Sequence, residues 1–189
     1  MQAQTIRAAL LLCLFVSPAR SAGGTDDIAV GLRWDGPAIL VEVDCFVTAP
    51  APIAWDVLTD YAHMARYLSN LESSVIEERK DNWMRVHQVG KASQGLFTLE
   101  FDNVREVELV PPDEVRSRFM NGDFKDSTFV TRIVPSATGI RIVNSGHYVT
   151  GLWIPPLLGP ALIAAGIRKQ FGEIRDEILR RAAKANGPS

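Results

Sequence analysis

Residues 148–183 read YVTGLWIPPLLGPALIAAGIRKQFGEIRDEILRRAA, and the second part of this stretch decides the fold. Ile163, Ile167, Phe171, Ile174, Ile178 and Ala182 recur at spacings of 4, 4, 3, 4 and 4, one apolar stripe at the period of an α-helix. Arg168, Lys169, Glu173, Arg175, Asp176, Glu177 and Arg180 mostly fall off that stripe. Pro160 suits a first helical turn, where its missing N–H costs nothing. Arg180, Arg181 and Lys184 stand at the far end, where cations complement the helix dipole. A helix of this length must bury its stripe against a partner surface, and the segments before it are strand-like.

Working outward, Ile39 to Val47 is the first clear strand: Val41, Val43, Cys45 and Val47 alternate with Glu42, Asp44 and Phe46. Ile28 to Pro37 is open between pairing at a sheet edge and staying loose. Thr48-Ala-Pro-Ala-Pro52 stops the strand, and Ile53 to Leu68 is helical, with Ile53, Val57, Tyr61, Met64 and Leu68 on one face. A break at Asp60-Tyr61 divides it into two short helices. Ser74 to Arg79 and Trp83 to Lys91 flank the tight turn Lys80-Asp81-Asn82. Leu96 to Val110 is a long strand ended by Pro111-Pro112. Three more alternating runs follow, around Val115–Phe119, Phe129–Ile133 and Ile140–Asn144, separated by the turns Asn121-Gly122-Asp123 and Ser136–Gly139. Strands joined by short turns make an antiparallel sheet. The expected class is α+β, a curved antiparallel sheet of about six or seven strands around one long C-terminal helix, with a cavity between them.

The N-terminus reads as a secretory signal peptide over residues 1–22. Arg7 gives a positive start, Ala8 to Val16 is a short apolar core, and Pro18 with Ala19-Arg20-Ser21 forms the cleavage region. Nine apolar residues are too few for a membrane span, which needs about 20. Residues 23–38 are then a leader and 39–185 the domain. The expected location is outside the cytoplasm, periplasmic or secreted. The whole chain has 20 basic and 22 acidic residues; without Arg7 and Arg20 the mature chain keeps 18 against 22, a net charge of −4. That argues against nucleic-acid binding, which rests on clustered positive charge. Cys45 is the one cysteine left after cleavage, so no internal disulfide is expected and packing must hold the fold.

Ala49-Pro-Ala-Pro-Ile-Ala-Trp-Asp-Val-Leu-Thr-Asp-Tyr61 follows directly on a strand. Together with Gly122-Asp123-Phe124 before a strand and the final long helix, it resembles the START-like (SRPBCC, helix-grip) superfamily. In particular it resembles the polyketide cyclase/dehydrase and coenzyme Q-binding branch. The resemblance covers about residues 39–182. The chain departs from the pattern at Ala62-His63-Met64, which lacks the proline usual after the tyrosine, and at the apolar, proline-rich start of the last helix. The resemblance implies a hydrophobic cavity for a lipid, sterol, quinone or polyketide. Some members of the superfamily are enzymes and many only bind or carry.

No Walker loop, G-x-S-x-G, G-x-G-x-x-G or H-E-x-x-H is present. His63, His87 and His147 are far apart in sequence, so neither a metal nor a cofactor is expected. Arg85 and His87, Arg116 and Arg118, and Glu100 and Asp102 share strand faces whose alternates are apolar, so these pairs read as a solvated outer face. Asn144 and Tyr148 point inward if Ile140 and Ile142 do, unless Gly146 introduces a bulge that reverses the parity. With His147 they are the nominees for acid–base work should the protein be an enzyme, a cyclase or dehydratase acting inside the cavity. The expected ligand-binding residues are Met64, Tyr67, Phe101, Phe119, Phe129, Asn144, Tyr148, Trp153, Leu157, Ile163, Ile167 and Phe171. The function expected first is an exported protein that binds or transfers a lipid or quinone. Leu152, Trp153, Ile154, Leu157 and Leu158 carry no charge and lie among three prolines, which forbid a simple spanning helix. They are expected at the cavity rim, in transient contact with a membrane.

Overall fold

The alternation of Val41, Val43, Cys45 and Val47 holds in space: all four are buried, and they open the concave face of the sheet. The structure is a computed structural model that describes residues 28–36, 38–94, 97–149 and 159–185. The expected signal peptide and the apolar segment 150–158, with Trp153 and Leu157, lie outside the described residues.

In chain order, β1 (Ile28–Asp35), β2 (Ala38–Val47) and α1 (Ala51–Thr59) lead to a 3-10 helix at Tyr61–Arg66. Then come β3 (Leu71–Lys80), β4 (Trp83–Gln94), β5 (Phe97–Val110) and β6 (Glu114–Phe119). A 3-10 turn at Gly122–Phe124 precedes β7 (Thr128–Ser136), β8 (Gly139–Val149) and α2 (Gly159–Ala185). The described strands form one antiparallel sheet in the order β1-β2-β8-β7-β6-β5-β4-β3. The strand count is eight rather than six or seven. The difference is β1, which pairs along its whole length with β2, from Ile28↔Cys45 to Asp35↔Ala38. Residues 28–35 therefore belong to the sheet, not to a leader. Of the two alternatives for Ile28 to Pro37, the structure takes pairing at the sheet edge, with Ile28, Val30 and Leu32 turned to the core.

The expected helical break falls where the sequence places it. Asp60 has φ −82° and ψ 55°, outside the helical region, and divides α1 from the 3-10 helix. Ala54, Val57 and Leu58 from α1, and Tyr61 and Met64 from the 3-10 helix, are buried in the core.

In α2 the stripe divides in two. Phe171, Ile174, Ile178 and Ala182 are buried, whereas Ile163 and Ile167 are half-buried against the same core. The helix packs on β1 and β2 at one flank of the sheet, on β4 near the other, and on α1. Strands from opposite ends of the strand order thus meet one helix, so the sheet curls around it.

The helix also carries a buried charge that its apolar stripe does not announce. Glu177 accepts from Arg180 Nε at 2.6 Å and from Arg181 Nε at 2.7 Å, and Arg181 Nη2 donates to Asp60 Oδ2 at 2.8 Å. This chain of contacts ties the end of α2 to the break after α1. The hydrogen bonds from Arg180 above all, opposed by burial and helped by Arg181, hold the Glu177 carboxyl down at about 2, below its ordinary 4.5. A depressed carboxyl stabilises the fold above the ordinary value and loses that contribution as pH falls through the folded one. Glu177→Gln is expected to destabilise by about 1–3 kcal/mol at pH 7, the range for charge-assisted hydrogen bonds. Urea unfolding at pH 7, 4 and 2.5 checks it: the gap between wild type and variant should shrink below pH 4.5. A gap constant with pH would show that the carboxylate charge is not what stabilises.

Candidate functional site

Cross-strand register fixes which side chains face the helix. On β8, Ile140, Ile142, Asn144, Gly146 and Tyr148 share a face, opposite Val47, Cys45, Val43, Val41 and Ile39 of β2. The register across Gly146 is unbroken on both sides, so no bulge reverses the parity. The glycine is there because β7 runs too close: a Cβ would stand 2.0 Å from the Thr128 carbonyl oxygen. From β8 the same face continues through Phe129, Thr131 and Ile133 of β7, then Val115, Ser117 and Phe119 of β6. On β5 it comprises Phe101, Asn103, Arg105, Val107 and Leu109.

Burial along this concave face is graded. Ile133, Ile140, Ile142, Val107, Leu109 and Val115 are buried, on the side of the sheet where α1 packs on β7. Toward the other end of the middle strands, Phe101, Phe119, Phe129 and Tyr148 are only half-buried. The first half of α2, with Ile163 and Ile167, is half-buried in the same way. Large apolar side chains that face inward without being covered mark the interior's under-filled end, and this is the candidate ligand cleft.

Phe124 is the hub of that end. Its ring centroid lies 4.8 Å from Tyr148, 5.9 Å from Phe101 and 6.0 Å from Phe119, and Phe119 continues to Phe129 at 6.2 Å. Separations and tilts of this kind are favourable for aromatic pairs. Gly122 sets Phe124 in place. Its φ of +77° suits glycine, and a Cβ there would come within 2.0 Å of the Asp102 carbonyl oxygen. Asn103 Oδ1 then accepts the Phe124 N–H at 3.3 Å, and Asn121 Oδ1 accepts the Val104 N–H at 2.7 Å.

Of the residues singled out in the sequence, Phe101, Phe119, Phe129 and Tyr148 come together here. Asn144 faces inward and is buried, donating to Thr131 Oγ1 at 2.8 Å, so its amide is an internal hydrogen bond. His147 stands exposed on the opposite face of β8, so the nominated catalytic trio of His147, Tyr148 and Asn144 does not assemble. Strict two-residue alternation, with no bulge at Gly146, is the reason. Met64 is buried in the core, where its Sδ accepts from Gln88 Nε2 at 3.7 Å. Tyr67 donates to the Val57 carbonyl at 2.9 Å and lies under the Arg181 guanidinium, so it packs α1 against α2 and does not line the cleft. Burial, reinforced by the Asp60 charge, pushes its phenol well above the ordinary range. Phe171 is likewise buried in the core.

Sequence reasoning quoted Phe124 as part of a turn motif but named neither it nor Asn103 nor Arg105 as a site residue. The parity that turns Phe101 inward also turns Asn103 and Arg105 inward. Asn103 is buried, and the Arg105 guanidinium carbon lies 5.0 Å from the Tyr61 ring centroid and 5.4 Å from that of Phe119.

The convex face is charged, as its sequence pattern implies. His87 Nε2 meets Asp102 Oδ1 at 2.7 Å, Lys91 Nζ meets Glu72 at 2.9 Å, and Arg132 Nε meets Glu114 at 2.6 Å. A depression of about 300 Å³ on that side is lined by Glu72, Val89, Lys91, Glu100 and Asp102 with Gly90 and Phe101. Its charged groups are exposed, Lys91 pairing with Glu72 and Glu100 and Asp102 with His87, so it offers an apolar ligand little. Among the described residues no three His, Cys, Asp or Glu side chains converge as a metal site.

A sequence profile of the family described as "Polyketide cyclase / dehydrase and lipid transport" matches residues 38–185, and the chain belongs to that family. No curated protein matches the chain. Among solved structures, it is similar to the Zhui aromatase/cyclase from Streptomyces sp. R1128, with a TM-score of 0.68 and 17% identity over 80% of this chain and 99% of that one. It is similar too to a STAR-related lipid transfer protein from Xanthomonas axonopodis, with a TM-score of 0.66 and 16% identity over 84% and 97%. A START superfamily protein from Mycobacterium smegmatis gives a TM-score of 0.60 and 14% identity over 77% and 99%. At these identities the likeness establishes the helix-grip fold.

The Gly122–Phe124 turn gives a direct check on the cleft. Gly122→Ala must move either its own backbone or that of Asp102, and is expected to cost about 1–3 kcal/mol, the range for strained backbone positions. Displacing Phe124 should also weaken uptake of a neutral fluorescent apolar probe such as N-phenyl-1-naphthylamine. A variant with unchanged urea midpoint and unchanged probe affinity would remove Phe124 from the site.

Proposed function

We propose that this member of the polyketide cyclase/dehydrase and lipid transport family is an exported protein that binds or transfers a hydrophobic small molecule, a lipid or quinone, in the cleft beneath the first half of α2. The observation that carries this reading is the half-buried cluster Phe101, Phe119, Phe124, Phe129 and Tyr148 on the inner face. Aromatic surface turned inward and left partly uncovered is stabilised when an apolar ligand covers it, at about 25 cal/mol per Å². Export rests on the residue pattern of 1–22.

A cyclase or dehydratase would need a group able to exchange a proton with its substrate. Among the described residues the three histidines stand elsewhere: His63 is exposed beside Asp60, His87 pairs with Asp102 on the convex face, and His147 is exposed. The Tyr61 phenol, which does face the interior, is pushed up by burial against the opposing charge of Arg105, and so stays protonated at neutral pH. These placements favour carriage over turnover.

The apolar segment around Trp153 joins two cleft-flanking elements, β8 and α2, and we read it as the part that touches a membrane during exchange.

Native mass spectrometry of the purified mature protein, before and after incubation with lipid or quinone, tests ligand binding. Mass shifts of one ligand per chain are expected. A chain that stays ligand-free with both would end the reading. Liposome co-sedimentation tests membrane contact. Trp153→Ser with Leu157→Ser should abolish pelleting while ligand uptake survives, and equal pelleting of variant and wild type would exclude the segment.

A further inference from the structure

Arg105 occupies an unusual place for a cation. It faces inward from β5, between Val86 of β4 and Phe119 of β6, and its guanidinium lies over the Tyr61 and Phe119 rings. Contacts with two rings offset part of the cost of withdrawing the charge from water. They do nothing for its N–H groups. The Nε atom is buried and has no hydrogen-bond partner, and no described carboxylate forms an ion pair with the guanidinium. Five other arginines on the sheet, Arg85, Arg116, Arg118, Arg132 and Arg141, each meet a carboxylate on the solvated face, and Arg33 and Arg79 are exposed. A buried donor without an acceptor costs about 1–3 kcal/mol, more when charged. Such a group calls for a partner outside the chain, an ordered water or a ligand.

Resting on the hydrophobic-ligand reading above, we propose that Arg105 is the polar anchor of the cleft and that the ligand is an apolar molecule bearing a carboxylate, which the guanidinium receives while the tail lies along Phe119, Phe124, Phe129 and Tyr148. The planar fork of a guanidinium matches a carboxylate with two parallel hydrogen bonds, and each is strong in a water-poor site. The choice of a carboxylate over a phosphate follows from charge. The inward-facing neighbours Val86, Asn103, Val107, Ser117 and Phe119 bring no second cation, so the site balances one negative charge and not two. The same arrangement disfavours wholly neutral ligands, which would leave the buried donor unmet. Arg105 thereby selects among the hydrophobic molecules that the aromatic walls alone would accept.

The test compares three probes of one chain length on the mature protein at pH 7.5: hexadecanoic acid, its methyl ester and hexadecyl phosphate. Each is titrated by displacement of N-phenyl-1-naphthylamine. The acid is expected to bind about tenfold or more tightly than the ester, as one charge-assisted pair predicts. It should also bind more tightly than the phosphate. In Arg105→Met the acid-to-ester ratio should fall to about one, and Arg105→Lys should restore part of it, with near-UV circular dichroism confirming the packed core. Equal affinity of wild type for acid and ester overturns the anchor while leaving the hydrophobic-ligand reading intact, since the ester binds. An acid preference that survives in Arg105→Met also overturns it, as does a preference for the phosphate. Failure of all three probes to displace the dye ends both readings together. The wild-type comparison needs no variant, so a misfolded Arg105→Met leaves the anchor open to refutation.

Discussion

One α-helix cannot cover eight flat strands. A helix with its side chains is about 10–12 Å across, whereas strands stand about 4.8 Å apart, so a sheet of this size is about three helix diameters wide. The chain has one long helix with which to close that sheet, and the sheet answers by curling until β1 and β2 on one side and β4 on the other reach α2. A cylinder held inside a curved sheet touches its flanks more readily than its floor. The floor here is β8, β7, β6 and β5, and it needs another filler. At one end α1 and the 3-10 helix supply it through Val57, Leu58, Tyr61 and Met64. At the other end the floor residues are aromatic and half-buried. Half-buried aromatic residues on the floor are thus a geometric consequence of closing a wide sheet with a narrow element.

That constraint explains why the lock at Glu177 matters. The curl stores no obligation to stay closed around α2 except through the contacts at its ends. Apolar packing of Phe171, Ile174, Ile178 and Ala182 holds the second half of the helix in place without direction. The Glu177–Arg181–Asp60 chain adds direction, since hydrogen-bonded ion pairs tolerate little rotation or slip. Ser69 adds a further link, its backbone N–H donating to Glu173 Oε2 at 3.0 Å. The first half of α2 has no comparable described tether, and its Ile163 and Ile167 are only half-buried.

Much of this was legible in the residues, because the rules that govern it are local. The stripe of α2 is set by helical period, the inward rows by strand alternation, and the break at Asp60 by the short first run. What escaped depended on neighbours far away in sequence. β1 alternates Ile28, Val30, Leu32 and Trp34 with shorter or polar residues, but only its pairing with β2 decides between an edge strand and a loose segment. Glu177 can be buried because Arg180 and Arg181 meet it there, and Arg181 is itself held by distant Asp60. The bulge allowed at Gly146 vanishes once the Thr128 carbonyl is seen to need its space. His147 then falls on the wrong face for the role it was offered. Arg105 is the instructive case. The parity of Phe101 already turned it inward, but a charged residue in an alternating strand is ordinarily counted as solvated.

The polar groups on the inner face separate into those whose needs the fold meets and one whose needs it does not. Asn144 is satisfied by Thr131, Gln88 donates to Ser74 Oγ, and Asn103 accepts from Phe124. These three stiffen the walls, since each joins segments distant in sequence, and a satisfied amide gains little from a ligand. Arg105 alone among these four presents charge and an unmet donor to the interior. An apolar wall binds by area and discriminates poorly, because a methylene more or less changes little. A buried unmet donor discriminates sharply, because a ligand lacking the matching acceptor leaves the cost in place. Affinity and selectivity in this cleft therefore have different origins: the aromatic cluster sets how much apolar surface can be covered, and one guanidinium sets which molecules are worth covering it with.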